Sequence, residues 1–251
     1  MPALMIETLA LLFAAGLWAG AQNALAGGGS FVTLPALIFA GLDPRAANIT
    51  STIALFPGQV ATGLAGRSLV AGTARVGFAA LFAVSLVGGA LGGLLLLWTP
   101  PEIFARLVPW LVLVATALFA WGSFGRRPTA AVHLGAPATV AIQFAIAVYG
   151  GYFGGGIGIL MLAALTLAGL AVRNAGATKN ALGAVMNASA FLVLALSGEV
   201  AWFLAVALGA GSIIGGLIGT WALQRVNETA LRLAVVGIGA ALSIGLFLRP
   251  V

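Results

Sequence analysis

Residues 27–52 read GGGSFVTLPALIFAGLDPRAANITST, and residues 154–183 read GGGIGILMLAALTLAGLAVRNAGATKNALG. The two stretches are copies of one pattern. Gly27-Gly28-Gly29 matches Gly154-Gly155-Gly156 at an offset of 127, and one inserted residue carries the match on at 128. Between residues 36 and 50 eight positions are identical: Ala36/Ala164, Leu37/Leu165, Ala40/Ala168, Gly41/Gly169, Leu42/Leu170, Arg45/Arg173, Ala47/Ala175 and Thr50/Thr178. Alanine and leucine are abundant enough to coincide by chance, but Arg against Arg and Thr against Thr in register point to a duplicated unit.

Working outward from these copies, Gly, Pro and polar punctuation cuts the chain into ten helical segments, near 3–26, 30–42, 46–66, 72–98, 103–124, 136–153, 157–170, 175–197, 200–222 and 229–248. Most have the roughly 20 residues that span a hydrocarbon core. The second and seventh do not: about 13 residues cover only about 20 Å. Five segments fall in each half, and an odd number turns the second half upside down relative to the first. The expected architecture is an all-α polytopic membrane protein of two inverted repeats. Residues 1–124 form the N-terminal repeat, 125–135 a cytoplasmic linker and 136–251 the C-terminal repeat.

Composition agrees with a lipid solvent. Of 251 residues, 62% are apolar and 6% charged, where a soluble domain carries roughly a quarter charged. The 36 glycines suit close packing of membrane helices through small residues. The net charge of +6 does not point to nucleic acid, because its basic residues stand singly or in pairs between apolar runs, as topology signals do. If all ten segments cross, Arg67, Arg75, Arg126, Arg127, Arg173, Lys179, Arg225 and Arg232 share one side, against Arg45, Arg106 and Arg249 on the other. That bias puts both termini outside a bacterial-type cytoplasmic membrane. Were the short segments re-entrant, the split would be six against five and nothing would orient the chain; whether they cross completely stays open. Ala24-Leu25-Ala26 resembles a signal-cleavage site. No basic residue precedes its apolar run, so the stretch is expected to remain as a transmembrane segment. Trp98, Trp121, Trp202 and Trp221 fall near segment ends, where interfacial anchors sit.

Short, glycine-interrupted segments in matching positions of two halves mark a midplane site in secondary transporters. Each Gly triplet can break a helix and leave bare N–H groups at the start of the next one, an arrangement that suits an anion. The alternative is a tight turn with close packing. Polar side chains follow on the third and eighth segments: Asn48, Thr50, Ser51, Thr52 and Gln59, then Thr178, Lys179, Asn180, Asn187 and Ser189. The offset of 128 pairs Thr50 with Thr178, Thr52 with Asn180 and Gln59 with Asn187. Thr50 and Gln59 are read as sharing one face that replaces the water shell of an oxyanion; interhelical hydrogen bonding is the rival role. Lys179 either attracts the anion or snorkels to the cytoplasmic face. Arg45 and Arg173 either guard the two mouths or end the short helices.

Absences narrow the chemistry. Glu7, Asp43, Glu102, Glu199 and Glu228 all lie near segment ends, so no carboxylate relay or acidic sodium site is supported. One His and no Cys exclude a zinc cluster or a haem pair. There is no Walker A sequence. The expected protein is not an enzyme and needs no cofactor.

The two Gly-triplet stretches together resemble the TauE/SafE family of sulfite exporters and related anion permeases, over nearly the whole chain. The resemblance implies export of sulfite, sulfonates or other small organosulfur anions, with the triplets, Thr50, Thr178 and Lys179 at the positions of the family's repeated motif. The candidate substrate-binding set is therefore Gly27, Gly28, Gly29, Asn48, Thr50, Ser51, Gln59, Gly154, Gly155, Gly156, Thr178, Lys179 and Asn187. Alternating access between the halves is the expected mechanism, with an anion channel or a non-transporting scaffold as alternatives. An anion leaving a negative interior gains about 2.3 kcal/mol per charge per 100 mV, so efflux needs no acidic coupling residue. The expected partners are the small anion and the bilayer; a homo-oligomer stays open.

Overall fold

The computed structural model describes residues 2–25, 27–124, 134–222 and 228–248. The described residues form ten α-helices and no strand: α1 (Pro2–Leu25), α2 (Ser30–Phe39), α3 (Pro44–Ala65), α4 (Phe78–Trp98), α5 (Pro101–Phe124), α6 (Ala136–Tyr152), α7 (Ile157–Leu167), α8 (Val172–Ala195), α9 (Trp202–Ala222) and α10 (Glu228–Leu248). All ten expected segments are present. The fourth begins six residues later than expected. Arg67–Leu69 forms a 3-10 turn, and Thr73 and Val76 exchange hydrogen bonds that hold residues 70–77 as a loop. Residues 125–133, with Arg126, Arg127 and His133, lie outside the described residues, as do Arg225, Arg249 and the side chains of Trp221 and Arg232.

The surface is apolar, and polar side chains are buried within the interior. Val206, Leu192, Phe203 and Val114 are at least half exposed, while Gln22, Asn48, Thr50, Ser51, Gln143 and Thr178 are almost fully buried. A water-soluble fold would reverse this dressing. Helices α1, α4, α5 and α9 are long and apolar enough to cross a membrane. Helices α3 and α8 have spanning length at 22 and 24 residues, but each carries an interior polar stripe. Trp98, Trp121 and Trp202 stand exposed at or near helix ends, where interfacial indole rings belong. The molecule is a multi-pass membrane protein.

Glycine stripes set the directions of the helices. A Cβ on Gly211, Gly215 or Gly219 of α9 would strike the backbone at Phe13, Leu17 or Ala21 of α1, in that order. The two helices therefore run parallel in near-backbone contact, as small-xxx-small stripes allow. Gly58 of α3 abuts Ser212 of α9, in the same sense. On the other side of the bundle, Gly88 and Gly92 of α4 meet Ala147 and Val148 of α6, and Gly89 and Gly93 meet Met186 and Ala190 of α8. So α1, α3 and α9 form one parallel trio and α4, α6 and α8 another. The trios run oppositely: Gly63 of α3 faces Asn180 and Ala184 of α8, whereas Gly66 faces Ala177.

The short helices α2 and α7 share a termination. The N–H groups of Gly41 and Leu42 bond to the carbonyls of Ile38 and Leu37, and those of Gly169 and Leu170 bond to Thr166 and Leu165. Both are Schellman caps, which accounts for the Gly-Leu identity between the copies.

A loop at each end of the bundle is strapped to the crossing helix of the other half. Thr50 Oγ1 on α3 accepts the N–H of Ala201, from the α8–α9 loop, at 3.1 Å. Thr178 Oγ1 on α8 accepts the N–H of Ala71 at 3.0 Å and donates to its carbonyl at 3.1 Å; Asn174 Nδ2 adds a bond to the Leu69 carbonyl at 2.9 Å. The Thr50 end has a clasp besides. Arg45 forms a two-pronged ion pair with Glu199 and donates to the carbonyl of Thr99 at 2.6 Å. Arg173, at the opposite end, is exposed.

Two predictions follow from this packing. Gly20→Val, which drives a side chain into the Ser212 carbonyl, should cost about 1–3 kcal/mol and lower the melting temperature of the detergent-solubilised protein. Gly176→Ala, with open space around it, should leave it unchanged. Thr178→Val frees the 69–73 loop at about 1 kcal/mol, so limited trypsin digestion should cut at Arg75 roughly fivefold faster.

Candidate functional site

The α1–α2 and α6–α7 junctions meet in the interior. Gly27 and Gly154 have φ of 82° and 81°, a left-handed backbone that lets the chain turn back without a Cβ penalty. A Cβ on Gly27 would lie 3.1 Å from Cα of Gly158, and one on Gly154 would lie 3.7 Å from Ser30 Oγ. The starts of α2 and α7 are thereby brought together. The first junction is held by α1: Gln22 Nε2 donates to the carbonyls of Gly28 at 2.7 Å and Gly27 at 3.3 Å, and Asn23 Oδ1 accepts the N–H of Gly29 at 2.8 Å. Trp18 Nε1 donates to Gln22 Oε1 at 3.0 Å and fixes that amide.

Between these junctions and the crossing of α3 with α8 lies a cavity of about 50 Å³. A water needs about 10–15 Å³ of such space, so the cavity suits a few waters or one small solute. Its polar lining comes from Asn23, Ser30, Thr52, Gln59, Thr62, Lys179, Asn180 and Asn187; Leu55, Ile157, Met161 and Met186 supply an apolar wall. At the crossing, Asn187 Nδ2 donates to Gln59 Oε1 at 2.6 Å and to the Gly183 carbonyl at 3.0 Å. The bonded amides are themselves 128 residues apart.

Lys179 is the one charged residue of the described lining. It is 7% exposed, and among the described residues no hydrogen bond or ion pair engages its ammonium. Neither Asp43 nor Glu199 reaches the cavity; they cap α3 and clasp Arg45. The N-termini of α2 and α7 carry no side-chain cap, so their partial positive charge is directed at the same space. The ammonium and the two helix N-termini both favour an anion. Among the described residues no cluster of His, Cys, Asp and Glu could hold a metal ion.

The structure gathers Gly27, Gly28, Gln59, Gly154, Lys179 and Asn187 of the sequence-based set around the cavity. It places the others elsewhere. Thr50 and Thr178 are strapped to opposite loops, Ser51 pairs with Thr33 at 2.6 Å, and Asn48 donates to the Tyr152 carbonyl at 3.0 Å. Gly29 packs on Ala19 and Asn23, while Gly155 and Gly156 face Phe153 and Ala115. The expectation that Thr50 and Gln59 share a face is corrected: nine residues at 3.6 per turn leave them on opposite sides of α3. Thr52 and Gln59, seven apart, are the pair that does share one, as are Asn180 and Asn187. Of the residues absent from the set, Thr52 and Asn180 were legible from that spacing. Gln22 and Asn23 were legible only as two polar residues ending an apolar helix.

A probable membrane transporter protein of Haemophilus influenzae is 30% identical over 236 residues, covering 92% of this chain and 91% of that protein. A probable membrane transporter protein of Sinorhizobium is 30% identical over 256 residues, covering 98% and 95%. A third, from Escherichia coli K12, is 26% identical over 239 residues, covering 94% and 88%. No solved structure matches the chain. The family described as sulfite exporter TauE/SafE matches residues 12–246, and the chain belongs to that family.

Proposed function

We propose that this protein is a secondary transporter that exports a small anion, namely sulfite, a sulfonate or another organosulfur anion, by alternating access. The observation that carries the reading is Lys179: a buried ammonium without a protein partner, lining a small cavity at which two helix N-termini converge. Family membership and the names of the relatives support membrane transport; the anion is inferred from the cavity.

The opposed trios of helices, the shared caps of α2 and α7 and the reciprocal straps support two halves related by inversion. In that arrangement the cavity lies at the pseudo-two-fold axis, and the loops at 69–73 and 197–201 are its two closures. Each trio draws helices from both halves and is locked by glycine contacts, so rocking of one trio against the other would release one strap while keeping the other. The surplus of basic residues near the Thr178 end supports placing that end in the cytoplasm, with both termini outside a bacterial-type cytoplasmic membrane.

Binding tests the reading. Sulfite at a hundredfold its dissociation constant should stabilise the purified protein by about 2.7 kcal/mol, several degrees in melting temperature. Lys179→Met should abolish that shift and Asn187→Ala reduce it. Thr178→Val should lower the starting stability but keep the shift. Stabilisation of Lys179→Met equal to that of the unmodified protein would exclude this cavity as the anion site.

A further inference from the structure

Lys179 constrains the transport cycle as well as the site. The groups around it are neutral: Gln59 and Thr62 of α3, Asn180 and Gly183 of α8, and Asn23 of α1. Among the described residues every acidic side chain stands outside the cavity, and Glu199 is committed to Arg45. A charge sealed in a low-dielectric interior is strongly disfavoured unless it is paired. Alternating access, on which this inference rests together with the anion reading above, takes the site through a state closed at both ends. With a monoanion against Lys179 the cavity passes through that state neutral. Without one it passes either as an isolated ammonium, with no carboxylate nearby to swing in as a substitute, or only after Lys179 has given up its proton, and each slows the empty return.

We infer that the protein is an obligate anion exchanger. Outward passage of one small monoanion is tied to inward passage of another, because the unloaded carrier does not return. The potential-driven net efflux that a lack of acidic coupling residues permits is then the slow route, and one-for-one exchange of monoanions moves no net charge. The incoming anion needs only the chemistry of the site: a single negative charge, hydrogen-bond-accepting oxygens or a halide surface, and a size that the cavity admits.

Proteoliposomes loaded with radiolabelled sulfite on the acid side of neutrality, where the hydrogensulfite monoanion predominates, and with the membrane potential held at zero by potassium and valinomycin, separate the routes. Efflux into unlabelled external sulfite should be at least about tenfold faster than efflux into gluconate. Lys179→Gln removes the charge that blocks the empty return, so its ratio of exchange to net efflux should fall towards one even if both rates drop. Equal efflux of the unmodified protein into both media overturns the exchange inference and leaves the anion site standing. So does net efflux accompanied by one proton per anion in a pH-dye measurement, because Lys179 would then return uncharged. If labelled sulfite leaves in neither medium and sulfite gives no thermal stabilisation, the anion site and the exchange fall together.

Discussion

A backbone N–H or C=O left bare in hydrocarbon costs several kcal/mol, and the architecture follows from where this chain breaks its helices despite that cost. The two interruptions, at residues 27–29 and 153–156, are turned inward and backed by protein. Gln22 and Asn23 take up the exposed groups of Gly27, Gly28 and Gly29. The second junction has Tyr149 in that role, whose carbonyl accepts the N–H groups of Phe153 and Gly154. Only an interior cavity tolerates helix starts without caps, so the breaks that shorten α2 and α7 are also what give the cavity its positive lining.

Glycine does the complementary work inside each of the two trios. Where Gly16 and Gly20 meet α9, or Gly89 and Gly92 meet α8 and α6, backbones approach so closely that a Cβ would hit a carbonyl. Lipid provides no hydrophobic push between apolar helices, so such contact has to come from dispersion over a large area. The polar crossing of α3 with α8 lies where the two trios meet. Its bonds, from Asn187 to Gln59 and from the straps to Thr50 and Thr178, are individually modest.

Much of this was legible in the sequence because helix punctuation survives in lipid: Asp43 caps α3 through the N–H groups of Arg45 and Ala46, and Gly41 and Gly169 end the short helices. The site was less legible, and the reason is specific. Thr50 and Thr178 are identical in the two copies, and identity was read as shared binding. What the copies share there is a strap to the opposite loop, a contact between residues more than a hundred positions apart that no local pattern reveals. The lining pairs, Thr52 with Asn180 and Gln59 with Asn187, differ in residue type while agreeing in place.

Lys179 is the sharpest case of that divergence. Its counterpart at the 128 offset is Ser51, which pairs with Thr33 away from the cavity, so the lining holds one positive charge and not two. Two ammonium groups in about 50 Å³ would repel each other strongly at low dielectric and would call for a dianion to neutralise them. One ammonium, with neutral amides and hydroxyls around it, is balanced by a monoanion; a dianion would leave the closed cavity negative and a cation would leave it doubly positive. The apolar wall of Leu55, Ile157, Met161 and Met186 adds a second filter, because a strongly hydrated ion finds no donors on that side to replace its water. At this one position the lining departs from the repeat, and the departure leaves it with a single positive charge.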